Sequence, residues 1–315
     1  MVPGEPPLRC SAMVHCVQPP PATPGALVAS GATATFAIDS VTFGPGTGDS
    51  LTGLDLDGLV FVNTHSSGHC ISRPGADPLL VVRDGPGGLD DAFGNVLVPP
   101  LDAVGFTARL QKAIASGIGT HALVLEKLGD GADELLSGIP MTRLVPVVGA
   151  TDGGPVPAPS EWSTYTWDRL ADVPVTSFPN GYVAGDTWVS GPPQDIVFIV
   201  RLGDPPAEVR LRLHRGQIVA RLSDDHTRIT DGTLAGVLGV DELKAALVAC
   251  AASLLPASDI GALVDRAADI MIDGTQRETA ICDGVSLGLA FTARASQTST
   301  DPVTVPPVDG GCAVF

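Results

Sequence analysis

The sequence predicts an α+β fold: an antiparallel β-sheet, a sandwich or half-barrel, with amphipathic helices packed on one face or end. Three observations carry this expectation. Residues 195–222 read as an antiparallel hairpin, and residues 243–274 carry two helix-period stripes in succession. Few strands alternate singly with helices along the chain, which argues against parallel βαβ units.

Residues 1–33 read as a Pro-rich linker and 298–315 as a flexible tail, because neither buries enough apolar surface to offset its ordering entropy. A single domain, 34–297, remains. It opens with Phe36, Ile38, Val41 and Phe43, whose parity changes between Ile38 and Val41 as a bulged strand requires. Leu56–Asn63 continues as a second strand. From Asp91 the period turns helical through Val96, Leu97, Leu101, Val104, Leu110 and Ile114. Pro99 and Pro100 within it predict a short helix, a kink and a second helix to Ser116. His121–Leu128 returns to strand, and 129–190 forms a loop-rich insertion that holds every Trp and Tyr of the chain. Asp195–Leu202 is then a near-continuous apolar run. Val209, Leu211 and Leu213 alternate with Glu208, Arg210, Arg212 and His214, and Gly216 turns the chain into Ile218–Leu222. Leu243, Leu247, Cys250 and Leu254 mark one helix; a second runs from a Ser258 N-cap through Val264 and Ile270 to a stop at Gly274. Val285, Leu287, Leu289, Phe291 and Ala293 alternate as the last strand.

Apolar residues make up 44% of the chain and aromatics only 4%, so the core is expected to be aliphatic. Eighteen Lys and Arg against 35 Asp and Glu give a net charge of −17, which repels phosphate backbones; no nucleic-acid partner is expected. No apolar run reaches the roughly 18 residues of a membrane span, so no transmembrane segment is expected. Six cysteines at long spacing suit disulfides, hence an oxidising compartment, rather than a zinc knuckle; reduced thiols buried in a cytosolic protein are the other reading. Met1–Pro24 carries seven prolines and no apolar stretch of signal-peptide kind.

Several groups could carry chemistry. Asp84, Asp90 and Asp91, with Asp273 and Asp283, place carboxylates in glycine-rich loops. Hard oxygen ligands on such backbone are what Ca²⁺ requires, although the spacing matches no EF-hand and Asp-Gly is also common turn chemistry. Trp162, Tyr165, Trp167, Tyr182 and Trp188 crowd into one stretch, either as a surface that stacks on a glycan or hydrophobic ligand or as a cluster buried beneath its loops. Gly284-Val285-Ser286-Leu287-Gly288 has the form of a nucleophile elbow, but the alternation continues through it. That puts Ser286 on the outer face of an ordinary strand, and no catalytic residue is assigned. His65, His69 and Cys70 offer metal-ligand atoms in what reads as a polar loop, and Gly44, Gly46 and Gly48 read as a turn. Arg210, Arg212, His214 and Arg215 form a cationic stripe, which a wet strand face pairing with acidic neighbours also predicts.

Five segments, Asp90–Asn95, Thr187–Gly191, Thr230–Leu238, Ala268–Thr275 and Cys282–Thr292, span most of the domain. In order and spacing they resemble a myxobacterial family of predicted envelope lipoproteins of unknown function. The resemblance implies export to the cell envelope (periplasm or outer-membrane surface) or secretion. Arg9 before Cys10 and His15 before Cys16 depart from the small-residue lipobox of that family. Its cysteine pattern resembles Cys70, Cys250, Cys282 and Cys312. Cys250 is expected to pair with Cys282, because the first faces inward from a helix and the second enters the neighbouring strand; Cys70 with Cys312 would tie the tail to the body, and Cys10 with Cys16 would be a local pair, although spacing alone does not fix the pairing. The leading expectation is an exported, non-enzymatic binding or structural module for a hydrophobic or glycan ligand. The alternative is an extracellular calcium-dependent hydrolase.

Overall fold

The computed structural model describes residues 8–9, 20–24, 31–44, 52–61, 67–85, 87–117, 120–129, 134–135, 142–149, 156–171, 175–202, 207–251 and 257–304. Nine strands carry the architecture. They are β1 (Ala32–Phe43), β2 (Thr120–Leu128), β3 (Thr142–Val148), β4 (Thr166–Arg169), β5 (Thr187–Val189), β6 (Gln194–Leu202), β7 (Ala207–Leu222), β8 (Arg228–Gly239) and β9 (Gly284–Ala295). They pair in the order β4-β3-β2-β1-β9-β8-β7, and β7 is long enough to hold β6 along its first half and β5 along its second. These pairings are all antiparallel. A short parallel pairing of Gln297–Thr298 with Thr166–Trp167 makes the sheet mixed, and it curls into a half-barrel.

The bulge expected in β1 falls at Asp39. Thr292 of β9 faces Ser40 while Ala293 faces Ile38, so Asp39 is the extra residue. A bulge leaves backbone groups without ladder partners, and here Gln111 takes them: its Nε2 donates to the Asp39 carbonyl at 2.9 Å and its Oε1 accepts from the Val41 amide at 3.2 Å. Gln111 belongs to α1 (Phe106–Ala115), which packs against β1 and β6. The turn expected at Gly216 is a bulge instead. β7 runs straight through it, with a register shift between His214 and Gln217 and Arg215 at φ 55°. A side chain at Gly216 would fall 2.8 Å from Ile196 of the neighbouring strand.

Other boundaries move for local reasons. Leu56–Asn63 keeps only Leu59–Val60 as strand, while 62–63 lie outside the described residues. Phe93–Leu97 forms a π-helical turn that continues directly into Val98–Asp102. Pro99 and Pro100 sit in that helix's first turn without breaking it, and the break falls at Gly105 with φ 77°. α2 (Val240–Ala251) packs on β7 and β8, and α3 (Ala257–Ala267) packs on α2 and the Phe93–Leu97 turn. Helix α3 stops well before Gly274, because the following residues pair with the start of β9: the Asp269 amide donates to the Gly284 carbonyl and the Gly284 amide to the Ile270 carbonyl. Among the described residues no helix is long and apolar enough to cross a membrane.

The loop-rich 129–190 stretch supplies sheet edges, since β3 and β4 extend beyond β2 and β5 lies on β7. Its aromatic rings are core fillers. Trp162, Trp167 and Trp188 are fully buried, Tyr182 is buried and Tyr165 half-buried. Trp162 and Trp167 pack edge to face at 4.7 Å, and the Tyr182 hydroxyl donates to the Pro21 carbonyl at 2.5 Å. The stacking surface expected of these five residues is therefore not formed by their placement. In an otherwise aliphatic chain they are the largest bodies available to fill the space between short strands.

Candidate metal centre

Three chain segments, 52–61, 84–94 and 268–276, meet against the start of β9 and bring six aspartates together. The loop between Asp84 and Asp90 closes tightly: the Gly85 amide donates to the Leu89 carbonyl at 2.9 Å, so both carboxylates emerge at one end. Gly88, at φ +87°, lets the loop lie on Leu59 and Val60, and a side chain there would fall 2.9 Å from Val60. Asp90 reaches across to accept from the Leu56 amide at 2.7 Å, between Asp55 and Asp57. Those two are held by their own turn, Asp55 by the Gly58 amide at 2.7 Å and Asp57 by the Leu59 amide at 2.8 Å. One carboxylate oxygen each from Asp55, Asp57 and Asp90 lies within 4.8 Å of the others. Ligands on opposite sides of a Ca²⁺ at roughly 2.4 Å each stand about 4.8 Å apart, so this spacing suits a shared ion.

The other three aspartates surround the trio. Asp84 accepts from the Phe61 amide at 2.6 Å. Asp91 takes the Gly94 and Gly288 amides on one oxygen, capping the π-helical turn, while its other oxygen is buried without a partner. Asp269 accepts from both the amide and the hydroxyl of Ser286, at 2.8 and 2.5 Å. Among the described residues no Lys or Arg pairs with Asp57, Asp84, Asp90, Asp91 or Asp269.

Burial is the largest effect on each of these carboxyls and pushes it toward its protonated form. Asp55 rises to about 6, Asp91 and Asp269 to about 7 and Asp84 to about 8; Asp57 also rises, and Asp90 lies well above the usual carboxylate range. Neighbouring carboxylates add to the burial effect at Asp84 and Asp90. His69 stands beside the cluster with its ring nitrogens 2.6 Å from the Cys70 carbonyl and 2.9 Å from that of Val81. Burial lowers its pKa, opposed by those carbonyls and by the charge of Asp57.

Of the five aspartates expected as metal ligands, the structure gathers Asp84, Asp90 and Asp91. Asp273 instead caps its own turn at Thr275 and pairs with Arg277, and Asp283 accepts from the Ile272 amide at 2.7 Å. Asp55, Asp57 and Asp269 were missed. The first two sit in Asp-x-Asp-Gly, a turn signal hidden by reading the stretch as strand, and Asp269 lies inside what reads as a helical stripe.

Ser286 does not lie on an open strand face. It is fully buried, because the 84–94 segment covers the face of β9 expected to be wet, and its oxygen accepts from the Ala92 amide at 2.8 Å. Cys282 bonds to Cys70 with Cα atoms 5.2 Å apart, replacing the expected partners Cys250 and Cys312. The pairing follows from strand-like contact: Ile71 faces Ile281, with the Ile71 amide on the Ala280 carbonyl at 2.8 Å and the Cys282 amide on the Ile71 carbonyl at 3.0 Å. Cys10, Cys16, Cys312, His65, Gly46, Gly48 and the Cys250 side chain lie outside the described residues. The cationic stripe pairs with acidic neighbours, Arg210 with Glu208, Arg212 with Asp195 and His214 with Glu242. No protein-family model, curated protein or solved structure matches the chain.

Proposed function

We propose that the protein is an exported, non-enzymatic binding or structural module of the cell envelope that takes up a divalent cation of the calcium class at Asp55, Asp57 and Asp90. The carrying observation is the convergence of these three carboxylate oxygens within 4.8 Å, in a corner where Asp57 and Asp90 have no Lys or Arg pair among the described residues. Oxygen-only ligands favour a hard cation, and half-exposed Asp55 and Asp57 leave room for the waters that complete six to eight positions. Export is supported by the Cys70–Cys282 disulfide and by the resemblance to envelope lipoproteins, three of whose five segments meet at this corner. Amphipathic helices gathered on one side of the sheet complete the proposed architecture.

Calorimetric titration of EDTA-treated protein with CaCl₂ tests the reading. Binding in the micromolar to millimolar range, with a rise in melting temperature, is expected. No heat and no shift would end it. The alternative, an extracellular calcium-dependent hydrolase, draws on Asp84, which keeps a proton near neutral pH beside the trio as a general acid must. Asp84→Asn would then abolish turnover while the cation still binds; a wild type inert towards esters, glycosides and peptides removes that reading.

A further inference from the structure

Gln276 stands between the aspartate trio and the disulfide. Its Oε1 accepts from the Cys70 amide at 3.0 Å, and its Nε2 donates to Asp57 Oδ2 at 2.9 Å and to the Asp269 carbonyl at 3.1 Å. One planar amide thus ties the backbone of a half-cystine to a carboxylate of the candidate cation site. Two of these three partners, Cys70 and Asp269, lie on the two segments the disulfide joins, 69–73 and 268–284, and the third is Asp57 itself.

We propose that Gln276 is a positioning residue that makes cation affinity depend on the redox state of Cys70–Cys282; the inference rests on the cation reading above. Reduction by an external dithiol breaks the Sγ–Sγ bond, places two electrons and two protons on the cysteines, and leaves the dithiol oxidised to its own disulfide. With the covalent tie gone, the Cys70 backbone is free to shift relative to Cys282. The Ile71–Ala280 and Cys282–Ile71 backbone bonds and the Arg73 Nε donation to the Cys282 carbonyl, at 2.7 Å, keep the segments adjacent. What changes is the placement of the Cys70 amide, and with it the far end of the Gln276 amide on Asp57. A ligand displaced by a fraction of an ångström loses much of its share of an ion site.

The test compares Ca²⁺ affinity by calorimetry in four states: oxidised and dithiol-reduced wild type, and oxidised and reduced Gln276→Ala. Reduction of the wild type is expected to weaken binding about 10-fold, and oxidised Gln276→Ala to match that loss. Reducing Gln276→Ala should then add nothing further, because the coupling has already been cut. Equal affinity in oxidised and reduced wild type, unchanged affinity in Gln276→Ala, or losses that multiply would each overturn the proposal while leaving cation binding intact. A reduced chain that circular dichroism shows to be unfolded would also overturn it, since no folded reduced state then exists whose affinity Gln276 could set. A wild type that gives no heat in either state removes the cation reading itself, and this proposal with it.

Discussion

Along β6 and β7, Arg201 meets Glu208 at 2.6 Å, Arg210 meets the same glutamate at 3.1 Å, and His214 meets Glu242 at 2.8 Å, whereas at the start of β9 the aspartates meet one another. Both regions are dense in charge and partly buried. In the first, folding brings opposite signs together and the desolvation cost is offset inside the molecule. In the second, folding brings like signs together, so neutrality has to come from protons or from a bound cation. A polar cluster becomes informative about ligands when its own contacts leave charge uncompensated.

This contrast can be broken at either end. Arg201 is nearly fully buried, so Arg201→Ala takes one arginine from Glu208 and leaves it Arg210; the loss is expected to be about 3 kcal/mol, a fall in melting temperature of roughly 6 °C by thermal circular dichroism. Asp90→Asn keeps an acceptor for the Leu56 amide but removes a ligand charge; calcium affinity should drop by about 100-fold in calorimetry. The same variant should melt higher than wild type at pH 8 without calcium, because folding no longer has to bury or protonate a carboxylate whose pKa burial raises. A lower melting point there would show that Asp90 is already neutralised by the protein.

The pH dependence follows from the direction of the shifts. Raised carboxyl pKa values mean that the native chain holds more protons than the unfolded chain between about pH 4 and pH 8. Stability contributed by the cluster is therefore present at the acidic side of that window and is lost as pH rises through the folded values of about 6 to 8. Melting temperature should fall by several degrees from pH 5 to pH 8 in EDTA, and saturating calcium should flatten the curve. A flat profile in EDTA would contradict the account. Smallest of all, Arg212→Ala removes an exposed pair with Asp195 that solvent and salt screen, and the melting temperature should stay unchanged within error at both low and high salt.

Much of the sheet was legible because its signals are local. The parity change around Asp39, the run Val209–Leu213 and the alternation from Val285 to Ala293 each announce a strand within a few residues. Where the sequence misleads, two structures share one signature. Gly216 suits a turn or a bulge, and what decides is Ile196 across the ladder, which no window around Gly216 contains. The short strands within 129–190 lack the length to show a period. At the site, the aspartates of the 84–91 loop were visible as glycine-flanked carboxylates. Asp269 was not, because a carboxylate at the end of a helical stripe looks exposed until the chain leaves the helix and turns beneath Ser286. Cys282 likewise had no sequence signal for Cys70, 212 positions away.

That long covalent closure has a mechanical meaning. The bond between Cys70 and Cys282 turns most of the molecule into a ring, while β1 and β9, whose ladder lies mid-sheet, belong to the arms outside it. Tension applied to the two ends would peel β1 from β9 and then stop, since the strands within the ring cannot be drawn out until a thiol opens it. Under such a load the fold would yield in its arms and hold its interior.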